Sequence, residues 1–262
     1  MSVHASLDSI VAALDAELRT ADIPDYPGAV NGLQVANSGT VQRVAVAVDP
    51  SHLTIEAAVA ARASLLVLHH GLFWGGVQPL VGLTYKKFSR LLAHDIAVYA
   101  SHLPLDLHPT LGNNAGLARA LGLTPARGFA RFKTIDIGLS GDIDGGEPTG
   151  ALVDRVRAVV GPYGGVVRTS VPTDGRTSRR WAICSGGGAS SESLREAREL
   201  GVDTLIVGEG AHHTTVEAIE YDLCVVYAGH YATETLGVQS LGAFIEERFA
   251  VPYTFLHLPT GS

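Results

Sequence analysis

Short, uninterrupted apolar runs alternate along the chain with stretches whose apolar positions recur every three or four residues. The first clear run is Val44-Ala45-Val46-Ala47-Val48, the second Leu65-Leu66-Val67-Leu68, and the third Ile96-Ala97-Val98-Tyr99-Ala100. Runs of this length without alternation predict strands of a parallel sheet, covered on both faces by helices. The intervening stretches supply the helices. Residues 6–20 place Leu7, Ile10, Val11, Leu14 and Leu18 on one face, with Ser6 as N-cap. A helix opens at Pro50 and Ser51 and runs to about residue 63. Residues 84–95 put Tyr85, Phe88, Leu91 and Leu92 on an apolar face. Pro24, Pro27 and Gly28 mark a connection, and Asn31-Gly32 after it reads as a tight turn. The order β-α-β-α-β predicts right-handed crossovers.

The second half shows the same pattern. Helices are expected over 109–121 and 149–160, a weakly alternating strand over 132–139, and a short strand over 165–169. A strand beginning at Trp181 opens a second unit. It is followed by a helix over 192–200, a strand over 203–209, a helix over 212–221 and a strand over 223–230. A helix over 233–249 and a strand over 253–258 close the chain. Val98-Tyr99-Ala100-Ser101-His102 aligns with Val226-Tyr227-Ala228-Gly229-His230, and in both an acidic residue follows four positions later, Asp106 and Glu234. Leu65-Leu66-Val67-Leu68-His69 aligns with Leu205-Ile206-Val207-Gly208-Glu209. These ordered matches predict two related α/β units facing one another. The first would span residues 1–128, completed by 233–262, and the second residues 129–232.

Composition narrows the class. Of 262 residues 46% are hydrophobic and 17% charged, which is a folded globular balance. The formal net charge of −7 argues against non-specific binding to nucleic acid or anionic membranes. The one basic run, Arg176-Thr177-Ser178-Arg179-Arg180, is expected to be a solvated turn before a strand. Cys184 and Cys224 lie in apolar runs and read as buried small hydrophobes rather than a disulfide. With no secretory leader and no membrane-length apolar run, the expected location is cytoplasmic.

The chemistry-bearing residues collect at strand carboxyl ends, where open α/β sheets place their ligands. They are Asp49, His69, His70, His102 with Asp106, Glu209, His212, His213, and His230 with Glu234. Taken singly each has an ordinary explanation. Asp106 could cap a helix, Glu234 could favour a helix macrodipole, and His230 could be a core histidine. Their shared position at one edge is what such explanations leave out. Imidazoles mixed with carboxylates, without thiolates, suit Zn, Fe, Mn, Co or Ni. Adjacent histidines at a turn address two neighbouring ions more easily than one, and a carboxylate is then needed to bridge them. Ser185-Gly186-Gly187-Gly188 reads as a tight turn with anion binding as a minor alternative, because it lacks the spacing and lysine of a phosphate-binding loop. Neither a G-x-S-x-G elbow nor an H-E-x-x-H helix is present.

Several ordered motifs together resemble a known family. They are Asn31-Gly32-Leu33-Gln34-Val35, Ala47-Val48-Asp49, Leu68-His69-His70-Gly71-Leu72-Phe73-Trp74 and Tyr99-Ala100-Ser101-His102 through Leu105-Asp106. Gly208-Glu209-Gly210 with His212-His213, and Gly229-His230 through Thr233-Glu234, complete the set. The set resembles the dinuclear-metal, toroidal-hexamer family of Nif3-like proteins named GTP cyclohydrolase 1 type 2 homologues, in its short form without a mid-chain insert. By that resemblance His70 and Asp106 hold one ion, His69 and His230 hold the other, and Glu234 bridges both. His102, His212 and His213 become neighbours of the metals or contacts for substrate, and thus candidate catalytic residues. Where the family often has Gly-Asp, this chain has Gly208-Glu209, which keeps the charge.

The expectation is therefore an α/β protein of two related units, with two divalent ions in the cleft between them at strand carboxyl ends. The resemblance implies a homohexamer. It also implies a metal-dependent hydrolase of a nucleotide or phosphorylated metabolite, GTP among them. A metal-handling or regulatory protein without turnover, or a metal-stabilised scaffold, would use the same ligands.

Overall fold

The structure is a computed structural model that describes residues 4–261. Its contacts divide the chain into two compact units. One comprises Met1–Leu105 and Gly237–Leu258, and the other Asp106–Leu236 and Pro259–Ser262.

The first unit is built on a five-stranded sheet. Its order is Tyr253–Phe255, Val44–Ala47, Leu65–Leu68, Ala97–Ala100 and Gly32–Val35. The first four strands are parallel, and Gly32–Val35 runs antiparallel at the edge. Every residue of the three central strands is buried, which is why their sequences show no polar alternation. Ile55 and Ala58 of the helix His52–Ala60, and Leu91 of the helix Gly82–Ala93, pack on Leu66, Leu68 and Val98. Ser51 caps the first of these helices, its hydroxyl accepting from Thr54 N–H at 3.0 Å. The buried Tyr99 hydroxyl donates to Asp15 Oδ1 at 2.9 Å, so its polar end is satisfied.

The second unit carries a six-stranded mixed sheet. Its order is Arg127–Phe132, Ile135–Pro148, Thr177–Cys184, Thr204–Val207, Cys224–Tyr227 and Arg168–Thr169. Thr177–Cys184, Thr204–Val207 and Cys224–Tyr227 are parallel, and the flanking strands are antiparallel. Alternate residues serve opposite cores. Trp181, Ile206 and Val226 pack with Leu152 and Val156 of the helix Thr149–Val160, whereas Leu205 and Val225 pack with Leu194 and Phe129.

Helix-to-strand junctions in both units use one device. Arg62, Asp95, Gly201 and Asp222 all adopt the left-handed conformation, with φ of 56°, 53°, 68° and 51°. The next residue's N–H then reaches five residues back: Ala63 to Ala58, Ile96 to Leu91, Val202 to Ala197, and Leu223 to Ala218, at 2.8–3.0 Å. This Schellman closure satisfies a last-turn carbonyl and turns the chain into the next strand. The repetition read from sequence is thus present in the backbone. It extends to the strand ends. His69 N–H donates to Ala47 O and Ser101 N–H to Leu68 O; at the aligned positions Glu209 N–H donates to Gly186 O and Gly229 N–H to Gly208 O.

Three expectations need correction. Gly32–Val35 is a strand rather than a turn, because its backbone pairs with Tyr99 and its neighbours at the sheet edge. Residues 176–180 are not a solvated turn, since all but the first belong to the strand Thr177–Cys184. There Ser178 is fully buried against the hydroxyls of Thr149 and Thr204, while Arg180 alternates outward to Asp142. On the helix Gly82–Ala93 only Leu91 is buried, and Tyr85 and Leu92 are exposed, so the apolar face is narrower than its periodicity suggests.

Candidate metal centre

In the first unit the residues following the three central parallel strands converge. Asp49 lies two residues beyond Val44–Ala47, His69 and His70 directly follow Leu65–Leu68, and Ser101 and His102 follow Ala97–Ala100. His69, His70 and His102 offer ligand atoms that all lie within 4.8 Å of one another. The ring orientations are fixed by acceptors. His69 Nδ1 faces the Ser101 carbonyl at 3.0 Å, His70 Nδ1 faces Asp49 Oδ1 at 2.8 Å, and His102 Nδ1 faces Asp25 Oδ1 at 2.9 Å. A carbonyl or carboxylate oxygen only accepts, so Nδ1 carries the proton in each neutral ring and Nε2 keeps its lone pair. This is the arrangement in which a histidine ligates a metal through Nε2 while its other nitrogen is held behind.

Asp25 is the hub behind His102. Its Oδ1 also accepts from Tyr26 N–H at 2.6 Å, and its Oδ2 from Asn31 Nδ2 at 2.8 Å and Leu103 N–H at 2.9 Å. Asn31 Oδ1 accepts from His102 N–H at 2.8 Å. Burial works against charge on Asp25, but the His102 imidazole, the Asn31 amide and the Tyr26 N–H outweigh it and hold the carboxyl below its usual range.

In the second unit Asp106, His230 and Glu234 gather around the turn after Thr177–Cys184. Asp106 Oδ1 accepts from Asn113 Nδ2 at 2.8 Å and Ser185 Oγ at 3.2 Å. Asn114 braces the same corner, accepting from Ser185 N–H and donating to the Asp106 carbonyl. Gly186 has φ +62°, and a Cβ there would run into Glu234 Oε1. Gly208 is likewise packed against Gly186 O and Thr233 Oγ1, with no room for a side chain. The Ser185–Gly188 turn is therefore a bracket for two carboxylates. Gly229, at φ +97°, turns the chain into the short helix His230–Thr233.

His230 repeats only the Nδ1 contact, because both of its ring nitrogens face carboxylates and both therefore donate. Its Nδ1 faces Glu209 Oε1 at 2.8 Å, and its Nε2 faces Glu234 Oε1 at 3.2 Å. Burial disfavours charge on His230, yet Glu234 and Glu209 overcome it and push its pKa up to about 9. Two carboxylates on one imidazole make a place that favours a cation. Cys184 lies behind this corner, and burial, with Asp106 and Glu234 adding to it, pushes its thiol far up, so it stays a neutral core residue. Beside Glu209 and Gly229 opens a cavity of about 400 Å³ whose walls include Arg168, Thr169, Thr215 and Tyr227.

His108 supplies a contrast. It is buried, but its Nδ1 accepts from Leu111 N–H at 3.0 Å, so the neutral ring carries its proton on Nε2 and keeps no lone pair for an ion. His212 and His213 are exposed on the first turn of the helix His212–Glu220. Sequence reasoning missed Asp25, Asn31, Asn113, Asn114 and Ser185. Two signals were visible: the Ser185-Gly186-Gly187-Gly188 turn, read without its link to Asp106, and the Asn31-Gly32-Leu33-Gln34 motif, whose turn-like composition concealed two side chains bonded to distant segments.

The profile of the family Duf34/NIF3 (NGG1p interacting factor 3) matches residues 5–260. The chain belongs to this family. A relative from Deinococcus radiodurans, named GTP cyclohydrolase 1 type 2 homolog, is 37% identical over 97% of this chain and 94% of its own. A second of that name, from Pyrococcus abyssi, is 38% identical over 97% and 98%. The solved structure of protein ybgI, described as of unknown function, superposes with a TM-score of 0.86 at 33% identity, covering 98% of this chain and 100% of that one. The mixed α/β fold with parallel segments is that of its NIF3 neighbours. Within this family frame the histidine and glutamate groups could hold metal ions, and their donors fit borderline divalent ions. Among the described residues no helix is long and apolar enough to cross a membrane.

Proposed function

We propose that the protein is a dinuclear metal-dependent hydrolase acting on a small phosphorylated molecule, a nucleotide such as GTP or a related metabolite. The observation that carries the reading is the set of imidazoles pinned at Nδ1 by acceptors, His69, His70 and His230, alongside the bracketed carboxylates Asp106 and Glu234. His70 with Asp106 would hold one ion and His69 with His230 the other, with Glu234 shared. Two such ions, when bound, supply Lewis acidity toward an oxyanion. Five donors shared in this way would give each ion three protein ligands. That is one short of a closed structural site, and it favours turnover over storage. The chain's own residues orient the donors. Asp49, Glu209 and the Ser101 carbonyl fix the rings, and Asn113 and Ser185 fix Asp106. His102, held by Asp25, keeps an Nε2 lone pair that can take a proton from a substrate group. Arg168 in the neighbouring cavity suits an anionic group.

The relatives' shared name supports a nucleotide substrate without assigning one. We read the protein as a hexamer, as the family resemblance implies, and as cytoplasmic. The exposed apolar residues Val77, Leu80 and Val81 support a homo-oligomeric contact. The test is metal analysis and hydrolysis of a nucleotide panel by metal-loaded protein, beside Glu234→Ala. The variant should bind fewer ions and lose hydrolysis at least a hundred-fold. Unchanged turnover in Glu234→Ala would refute the reading, and two tightly bound ions with no turnover on any substrate would favour metal handling.

A further inference from the structure

One built feature of the first unit extends beyond the ligand set. Five rings form a contiguous patch running from the core to solvent. His69 lies 4.7 Å from His70 and 5.1 Å from His102, centroid to centroid. Trp74 meets His102 at 4.7 Å and His70 at 5.9 Å. Tyr26 completes the patch, 6.0 Å from Trp74 and 6.1 Å from His102. His69 is fully buried, whereas Tyr26 and Trp74 are 48% and 45% exposed.

The outer rings sit on braced loops. Gln34 Oε1 accepts from Leu72 N–H at 2.7 Å, and its Nε2 donates to Val30 O at 2.8 Å and Ala29 O at 3.1 Å. One side chain thus staples the loop bearing Tyr26 to the loop bearing Trp74. Gly28 packs so close to the Trp74 carbonyl that any Cβ there would part the two loops. Asp25 holds the Tyr26 backbone and the His102 ring through the same oxygen. Aromatic rings ordered in advance bind a flat partner at little further entropic cost.

We propose that the exposed indole of Trp74, with Tyr26 and His102 set edgewise to it at 65° and 67°, forms a stacking wall for a planar heterocyclic ring of nucleobase type, beside the candidate ions. The proposal rests on the hydrolase reading and narrows its substrate class to ring-bearing phosphorylated molecules, excluding simple sugar phosphates. The wall recognises planarity, because stacking on an aromatic face is tolerant of which base is offered. His102 Nε2 adds an acceptor for a ring N–H at the wall's inner end.

The chain's own fluorescence tests this. Trp74 and Trp181 are its only tryptophans, and Trp181 is fully buried, so an exposed indole signal comes from Trp74. Metal-loaded protein is titrated with guanosine 5′-monophosphate and with ribose 5-phosphate, and affinities are measured in parallel by calorimetry. The nucleotide should quench Trp74 saturably and bind about ten-fold or more tightly than ribose 5-phosphate. Trp74→Leu and Tyr26→Leu should each weaken the nucleotide about ten-fold with metal content unchanged. Absence of saturable quenching, equal affinity for the two probes, or full nucleotide affinity in both variants would overturn the wall. So would shielding of Trp74 from acrylamide in the free protein, which would mean that a second copy covers it. Equal hydrolysis of ribose 5-phosphate and a nucleotide would sink the wall and leave the hydrolase standing. A ring-dependent affinity without any turnover would do the reverse.

Discussion

His102 and His230 occupy the same position in the two related units, yet their surroundings differ. Each follows the third parallel strand of its unit, and the backbone bond just before each corresponds, from Ser101 N–H to Leu68 O and from Gly229 N–H to Gly208 O. Each offers Nδ1 to a carboxylate, at 2.9 Å and 2.8 Å. The carboxylate comes from different places: Asp25 from the N-terminal connection, Glu209 from the neighbouring strand end. Beyond the ring the contrast is sharper. His230 Nε2 meets the carboxylate of Glu234, while His102 stands among Trp74, Tyr26, His69 and His70. A repeated backbone therefore delivers an imidazole twice, and its neighbours differ, carboxylates around His230 and rings around His102. The acid that aligns with Glu234, Asp106, is turned instead toward Asn113 and Ser185.

The comparison can be broken most forcefully by exchanging the two histidines for alanine. His230→Ala should lower bound metal by about one ion per chain and abolish hydrolysis. His102→Ala should keep the metal and lose mainly turnover and nucleotide affinity. Equal metal loss in both variants would erase the distinction. A smaller effect comes from the carboxylates behind the rings. Glu209→Gln should weaken metal binding about 10–100-fold, the usual cost of losing a group that orients a ligand. Asp25→Asn should leave metal affinity within a few-fold of wild type.

The smallest effect is on stability. The Asp25 pKa is depressed in the folded state, so its charge contributes stability above its unfolded value near 3.8, and that contribution is lost as pH falls through the lower folded value. Asp25→Asn should therefore be about 1–3 kcal/mol less stable than wild type at neutral pH. The gap should close as the pH drops below about 4, as urea unfolding at successive pH values would register. A gap independent of pH would show that Asp25 acts by shape and not by charge.

The strand ends were legible because apolar runs announce buried strands, and the residue that leaves such a run is fixed in place by it. His69, His70 and His230 could be placed at strand ends in this way, and Asp106 and Glu234 four residues beyond the aligned histidines through the repeat. The braces were not legible. Asp25 lies 77 residues from His102, and Ser185 lies 79 from Asp106. Nothing in a local pattern marks a polar loop residue whose partner is that distant. The Gly82–Ala93 helix shows the converse limit: periodicity located it but could not say how much of its apolar face the core would accept.

The claim underlying all of this is that imidazoles held at Nδ1 present Nε2 to two ions. Anomalous diffraction at the metal edge, on crystals of metal-loaded protein, tests it most directly. Two peaks are predicted, with Nε2 of His69, His70 and His230 among the ligands, Asp106 and Glu234 beside them, and the Nδ1 contacts to Ser101, Asp49 and Glu209 intact. A single peak, or a peak bound through Nδ1 of these histidines, would contradict it.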